Sequence, residues 1–597
     1  MDGAEIKNSV DDVEMNESDN ESVGQESRIG SSYMPTFRYS HYKMRQGLAK
    51  YTSSSGQVYT SAQHVRFERF IQEYVQSEYS GLCLHTIRSD SLNLFNDMKQ
   101  ALIYELSGFN GTFSFSTNFW SSADHQLGFV CVTAHYIDSA WMLQRRIIAF
   151  RMLEYPHNDN VIFQSMMDLF REYMIDDKIF NITFDNVTGS DAIIDMFKNT
   201  LQPQFSYMRC LCHMVSSMVQ EGLKLMETHI EKIRGAILYI ASSSARQEEF
   251  SALCESRGLK CRKLKPDFKT HWNSTFLMLV SCVDYNAAIS DFYNGKHDGN
   301  NRLCESDWEI TFVFMNFLKV FRSVALSNSK VYSPTSSGGL PILFAVSECF
   351  AEHRGHSIPE FAAIYDIMES RFKSYCECML PSFCLAAAMD PRLKQHGLDL
   401  VVKDISENLG MPLLNIDAKA IEARLHGLYK GYESKFAKKE KPTSSTNSDQ
   451  MRKRKSFDGY SYEILRERRK QMDLETYGPT ELHKYLGVNY TAYMTNEEFQ
   501  KFDILAWWKY NEGSFPVLSK MARDLLTPSV SAVAPEFVFS TTVGNQVLDY
   551  KRSMQPSTML DCLFCMKDWE DARLRAQNWS DHDMVEYFAD SDQNSVD

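Results

Sequence analysis

The chain has 597 residues, 44% of them apolar and 23% charged. That balance excludes a disordered chain and supplies core for several folding units. The formal charge of −14 is concentrated at the ends, with nine acids against two bases in residues 1–30 and six acids without Lys or Arg in 577–597. The body is therefore near neutral, and bulk charge does not exclude a nucleic-acid partner.

Residues 1–35 read as a disordered acidic leader. Their polarity matches neither a secretory signal nor an Arg-rich transit peptide. No apolar run approaches the ~18–20 residues that span a bilayer, so the expectation is a soluble intracellular protein without a membrane partner. The 14 cysteines follow no regular spacing and read as reduced, mostly buried residues. Residues 36–110 form a helical N-terminal region, with apolar positions at i, i+3, i+4 and i+7 through 66–76 and 91–109.

The period then changes. Phe113, Phe115 and Thr117 alternate with Ser114, Ser116 and Asn118, which predicts a strand over 113–120. Residues 128–138 and 143–153 read as two further strands of an antiparallel meander. An amphipathic helix over 160–175 precedes a strand over 178–185 that ends in an acid. A helix over 191–201, a strand over 205–213 and one long helix over 214–243 follow. The order β-β-β-α-β-α-β-α implies an α/β fold whose mixed sheet, over 111–243, carries helices on its faces. Residues 244–436 read as a helical insertion and 437–470 as a basic flexible linker. Residues 471–576 form a C-terminal segment with helices at 481–486, 503–511 and 517–526, and 577–597 an acidic tail. No fixed-period repeat is present.

In such a sheet the centre of the first strand lies beside the end of the fourth, so Asn118 and Asp185 converge. Carboxylates at that junction hold two divalent ions that activate water and stabilise a leaving 3′-oxygen of nucleic acid. Asp185 meets the requirement; Asn118 keeps a carbonyl oxygen but no charge. Plainer readings stand beside these: Asp185 as a helix N-cap, and Asn118 as a satisfied polar strand residue. Cys210 and His213 are spaced like metal ligands, but two ligands do not close a site, and a packed Cys with a hydrogen-bonded His reads better. Cys562 and Cys565 form a C-x-x-C with only His582 downstream, too few ligands for a structural zinc. Trp272 reads as core or as a stacking residue, because Lys260, Arg262, Lys263, Lys265, Lys269 and His271 make the stretch around it a candidate DNA contact. In the linker, Lys438 and Lys439 precede Arg452, Lys453, Arg454 and Lys455 by twelve residues. That is a bipartite basic pattern of the nuclear-import kind.

Six blocks now fall into one order: STNFWSS (116–122), ITFDN (182–186), RCLCHMVSSMVQEGL (209–223), KTHWNSTFLML (269–279), MDPRLK (389–394) and FPVLSKMARDLLTPSVSAVAPEFVFS (515–540). Together they resemble the hAT-superfamily transposases, nearest the plant BED-finger group called ricesleeper and daysleeper, over roughly residues 40–570. The resemblance implies a ribonuclease H-like mixed sheet interrupted by a large α-helical insertion, with a helical C-terminal dimerisation segment that completes the core. It places the family's three metal-binding acids at Asn118, Asp185 and Glu536, which would hold Mg²⁺ in a catalytic member. Asp185 and Glu536 remain as a weak divalent site, with Cys210 and His213 as the supporting C-x-x-H element. Glu536 reads equally as a first-turn Glu stabilised by a helix dipole. Trp272 matches the insertion-domain Trp associated with a hairpin-forming DNA flank.

The sequence departs from the family pattern at Asn118, at His271 where an Arg is usual, and before Cys83, where no C-x-x-C…H-x-x-x-C/H pattern occurs. Dimerisation, with itself or with related hAT proteins, is expected through Leu525, Leu526, Val533, Phe537 and Phe539. The expected function is that of a domesticated nuclear protein that retains DNA association and dimerisation but not strand cleavage. One alternative is a functional transposase; Asp124, the nearest other acid, lies about 20 Å along an extended strand from position 118. Another is an interaction protein that binds no DNA.

Overall fold

The computed structural model describes residues 39–55, 63–121, 128–185, 190–260, 263–267, 272–297, 302–327, 333–411, 418–436, 468, 480–492, 494–532 and 556–577. Three helices, α1 (His41–Ser54), α2 (Val65–Tyr74) and α3 (Leu84–Gly108), lead into β1 (Phe113–Ser121), β2 (Gly128–Ile137) and β3 (Leu143–Leu153). Then come α4 (Asp159–Glu172), β4 (Ile179–Phe184), α5 (Asp191–Thr200), β5 (Ser206–Arg209), α6 (Leu211–Leu225) and α7 (Glu227–Ala241). The sheet has the order β3-β2-β1-β4-β5, with β1 antiparallel to β2 and parallel to β4. This is the mixed α/β sheet that the element order implied, and the ribonuclease H-like sheet with a helical insertion that the resemblance implied.

Two expected elements differ. The last strand stops at Arg209, because the Cys210 N–H closes onto Phe184 O at 2.8 Å and helix begins at Leu211. The single helix over 214–243 breaks at Met226, a fully buried residue with φ −85° and ψ −2°. The break lets α7 turn Ile230, Ile233 and Ile237 into the core of the insertion.

Alternation along the strands gives the sheet two unlike faces. Phe113, Phe115, Val130, Val132, Ile182 and Phe184 pack with α3, α4 and α5, the Phe115 and Phe170 rings lying 4.5 Å apart. The opposite face carries Ser114, Ser116, Asn118, Thr133, His135, Asn181 and Thr183, all of them buried. Neighbours satisfy several of its polar groups: Ser116 Oγ and His135 Nε2 are 2.9 Å apart, and Asn181 Nδ2 donates to Ser206 Oγ at 2.9 Å, whereas Ser114 Oγ is buried without a hydrogen-bond partner. Burial, with Arg145 nearby, pushes His135 down to about 3 and keeps its ring neutral.

The insertion comprises α8 (Ser244–Ser256), α9 (Trp272–Cys282), α10 (Asn286–Asn294), α11 (Glu305–Ser327), α12 (Gly339–His353), α13 (Pro359–Ala387), α14 (Lys394–Leu409) and α15 (Ala418–Phe436). The C-terminal part adds α16 (Glu481–Gly487), α17 (Asn496–Gln500), α18 (Ile504–Asn511), α19 (Leu518–Leu526) and α20 (Ser557–Ala576). One apolar core joins the insertion to α16, α18 and α19. No helix among the described residues is long and apolar enough to cross a membrane.

Both outer strands are covered. At β5, Arg209 N–H donates to Met379 Sδ at 3.1 Å and Tyr375 OH donates to Arg209 O at 2.8 Å, both partners lying on α13. At β3 the cover is α20. Asp568 accepts the Ile147 N–H and an Arg145 N–H, each at 2.7 Å, and Asp561 accepts the Phe150 N–H at 2.7 Å. Ile148 is an extra residue in the pairing with β2, since Val132 faces Ala149 and Thr133 faces Ile147. That bulge shifts the alternation, so N–H groups three residues apart point outward together. Their spacing of about 10 Å along the strand matches the roughly 10.5 Å between Asp561 and Asp568, two helical turns apart. Trp569 adds an indole N–H to Ile147 O at 2.8 Å and stacks on Phe95 at 5.5 Å.

The insertion and the C-terminal part meet at Lys394, a buried residue with φ 41°. Its ammonium donates to Tyr485 O at 2.7 Å and to Val488 O, at the C-terminal end of α16, under the Tyr490 ring at 4.0 Å. Burial pushes Lys394 down to about 7.

Asp568→Ala removes a carboxylate from the half-buried Arg145 and the acceptor of the buried Ile147 N–H together, and is expected to cost about 2–4 kcal/mol in urea unfolding. Asp568→Asn, which still accepts the N–H, is expected to cost less. For Lys394, an unfolded value near ~10.4 means the unfolded chain holds more proton between about pH 7 and that value, so stability rises with pH across this window. The melting temperature of wild type relative to Lys394→Met is expected to climb between about pH 7 and about pH 9.

Candidate functional site

Position 118 lies near the end of β1, opposite Cys131 of β2. The parallel register that pairs Ser116 with Thr183 carries Asp185 to the same level. The Asp185 carboxylate reaches across and accepts the main-chain N–H of Phe119. Asn118 and Asp185 are both buried, at 8% and 4% exposure. Asp185 does not cap the helix that follows it; that role belongs to Ser190, whose Oγ accepts the Ile193 N–H at 3.2 Å.

Cys210 and His213 stand at the first turn of α6, beside the strand end that carries Asp185. Cys210 Sγ accepts the Ala532 N–H at 3.1 Å. Burial opposes a thiolate there, but His213 and the Ala532 N–H outweigh it and hold the thiol below its ordinary value. The same partnership raises His213 to about 9 against its own burial, with Asp185 adding to the effect. His213 Nδ1 is buried without a hydrogen-bond partner.

Asn118, Asp185, Cys210 and His213 thus gather at one end of the sheet, and the chain from α19 runs across them. Thr183 Oγ1 donates to Ser529 O at 2.7 Å, Leu211 N–H donates to Val530 O at 2.9 Å, and Ala532 reaches Cys210. Glu536 follows four residues later and lies outside the described residues.

The described donors do not fit a pair of Mg²⁺ ions. They offer one carboxylate already engaged by an N–H, one carboxamide, one thiol and one imidazole with a raised pKa, whereas hard cations take anionic and carbonyl oxygens. Among the described residues no group of three or more His, Cys, Asp or Glu is placed to hold a metal.

Other expected site residues fall elsewhere. Trp272 is 5% exposed, packs in the core of the insertion and donates its indole N–H to Ser216 Oγ at 3.2 Å. Of its two readings, the structure supports core, and no ring face is left for a base. Lys263 and Lys265 are exposed on the preceding loop. That loop is tied down where Asp267 takes two hydrogen bonds from Arg234 and one from Thr275, each at 2.6 Å.

Leu525 and Leu526, expected on a dimer face, are instead enclosed by the chain's own core, Leu526 at 0% exposure. Their carbonyls accept from Ser336 Oγ at 3.1 Å. Cys562 and Cys565 face the core from α20. Lys269, His271, Asp124, the import residues Lys438, Lys439, Arg452, Lys453, Arg454 and Lys455, and the dimerisation residues Val533, Phe537 and Phe539 all lie outside the described residues, as do the two acidic ends.

Comparison with known proteins matches this arrangement. The ZBED1 RNase-like domain covers residues 116–213, a span that holds all four gathered residues, and the ZBED1 RNase-like helical domain covers 208–316. The hAT family C-terminal dimerisation region covers 481–570. The zinc finger BED domain-containing protein RICESLEEPER 2 of Oryza sativa subsp. japonica is 28% identical over 537 residues, 85% of this chain and 71% of that protein. RICESLEEPER 1 of the same plant is 27% identical, with 85% and 71% covered. DAYSLEEPER of Arabidopsis thaliana is 25% identical over 551 residues, with 91% and 75% covered. Over most of its length the chain is similar to these hAT-type proteins. At the site, main-chain groups that sequence reading missed, the N–H of Phe119 and of Ala532, do much of the holding. No residue type announces them, because every non-proline residue carries the same donor.

Trp272→Ala is expected to destabilise the protein by about 3–5 kcal/mol in denaturant unfolding, as a buried aromatic does. Lys263→Glu with Lys265→Glu is expected to leave stability within about 0.5 kcal/mol while weakening binding to duplex DNA in a fluorescence-anisotropy titration.

Proposed function

We propose that this chain is a hAT-derived nuclear protein that uses the transposase scaffold for self-association and DNA association without cutting DNA. The observation that carries the reading is the carboxamide of Asn118 beside Asp185, with the Asp185 carboxylate engaged by the Phe119 N–H. Two-metal phosphoryl chemistry needs anionic ligands on both ions, one activating the attacking oxygen and the other receiving the leaving oxygen. A carboxamide at one ligand position weakens both roles. A loss of several kcal/mol of barrier stabilisation corresponds to roughly a thousandfold or more in rate.

DNA association is supported by the exposed Lys263 and Lys265 and by the near-neutral body that remains once the acidic ends are set aside. Nuclear location is supported by the bipartite basic pattern of the linker. Self-association is supported by the match of residues 481–570 to the hAT C-terminal dimerisation region.

Cleavage is tested by incubating the full chain with supercoiled plasmid and Mg²⁺ or Mn²⁺. Wild type is expected to nick no faster than Asp185→Ala, and Asn118→Asp is expected to bind Mn²⁺ more tightly in a calorimetric titration. Robust nicking by wild type that Asp185→Ala abolishes would overturn the proposal.

A further inference from the structure

Where the part of the chain that matches the dimerisation region is described, it is largely used inside the chain. Leu525 and Leu526 are enclosed, and α20 lies between β3 and α1, where Lys50 pairs with Glu570 at 2.7 Å. Beside it, α2 keeps apolar surface in water. Phe67 and Ile71 of α2 pack with Leu48, Leu82 and Met559, the last of these on α20. Glu68 accepts the Gly81 N–H at 2.8 Å, and Gln72 donates to Tyr79 O at 2.8 Å, so the helix is held firmly.

Its apolar stripe is wider than that contact. Phe70 and Tyr74 are 53% and 77% exposed and stack on each other at 5.9 Å. A paired aromatic ridge held in water on a fixed helix marks a contact surface.

We propose that this ridge is where a second copy of the chain docks, α2 against α2 across a twofold axis. The inference rests on the reading that the chain self-associates, and it names the surface. Charge selects the occupant. Arg66 lies in the first turn of α2 and Glu73 in its last, so a twofold through the middle of the helix sets Arg66 of one copy near Glu73 of the other, whose pairing with Arg69 of its own helix is loose and exposed at 3.9 Å. With Glu68 included, the two bases and two acids cancel, which disfavours a phosphate backbone or an anionic membrane. Position agrees: Ile71 and Met559 share one apolar cluster, which seats α2 directly on the helix that closes the dimerisation region.

Sedimentation of the full chain at micromolar concentration tests this. Wild type and Tyr104→Glu, an exposed control on α3, are expected to be dimers. Phe70→Glu with Tyr74→Glu is expected to be a folded monomer by circular dichroism, with association at least ~100-fold weaker. Dimers in both wild type and the double variant overturn the α2 surface alone, whereas a monomeric wild type overturns self-association itself. Loss of DNA binding with the dimer intact also overturns the proposal and assigns the ridge to nucleic acid. Should the double variant misfold, Arg66→Glu is expected to weaken the dimer and Arg66→Glu with Glu73→Arg to restore it; a swap without effect overturns the proposal.

Discussion

The outer strands β3 and β5 each present main-chain N–H and C=O groups that the sheet itself leaves unpaired, and an open five-stranded sheet cannot keep both edges bare in water without inviting other strands. This chain covers each edge with a helix from far along the sequence. α13 of the insertion seals β5 through Met379 and Tyr375, and α20 seals β3 through Asp561, Asp568 and Trp569. The sheet therefore cannot be completed from residues 111–243 alone. Insertion and C-terminal part are bound to it by hydrogen-bond demand as well as by apolar packing.

The same demand shapes the polar face. A row of Ser, Thr, Asn and His side chains is costly to bury unless each finds a partner. The chain from α19 to Ala532 supplies partners by crossing that face beside the strand ends that hold Asn118 and Asp185. Asp524 on α19 accepts from Thr112 at 2.7 Å and from Tyr432, joining the sheet, the insertion and the C-terminal part in one buried contact. Burial pushes its carboxyl upward, a cost that the two hydroxyl donors offset in part.

Much of this was legible in the residues. Strict alternation in FSFSTN marked β1, and the position of ITFD after a helical period put Asp185 at the end of a strand parallel to it. Those two facts predicted the convergence seen. The boundary at Cys210 was not legible, because it depends on a hydrogen bond to Phe184 O from a strand remote in sequence. Nor was the fate of Leu525, Leu526 and Trp272. An apolar side chain looks alike in sequence whether it faces a partner, a base or its own core, and only the packing of α19 and α9 against distant helices decides. The edge clamp left a trace that periodicity does not detect: Asp561 and Asp568, two turns apart, with Trp569 beside them, on a helix otherwise read for its apolar positions.

The chemistry at position 118 bears on stability as well as on catalysis. Buried carboxylates that share a metal site repel one another when the metal is absent, and the fold must then take up protons or loosen. A carboxamide removes one of those charges. Asp185 accepts the Phe119 N–H, and its charge helps to keep the His213 ring protonated. Such an arrangement balances its charge from within the chain. Within the chain, β1, β4 and α6 are tied together by main-chain hydrogen bonds, from Phe119 to Asp185 and from Cys210 to Phe184, and the C-terminal part adds its own contacts across the same strand ends.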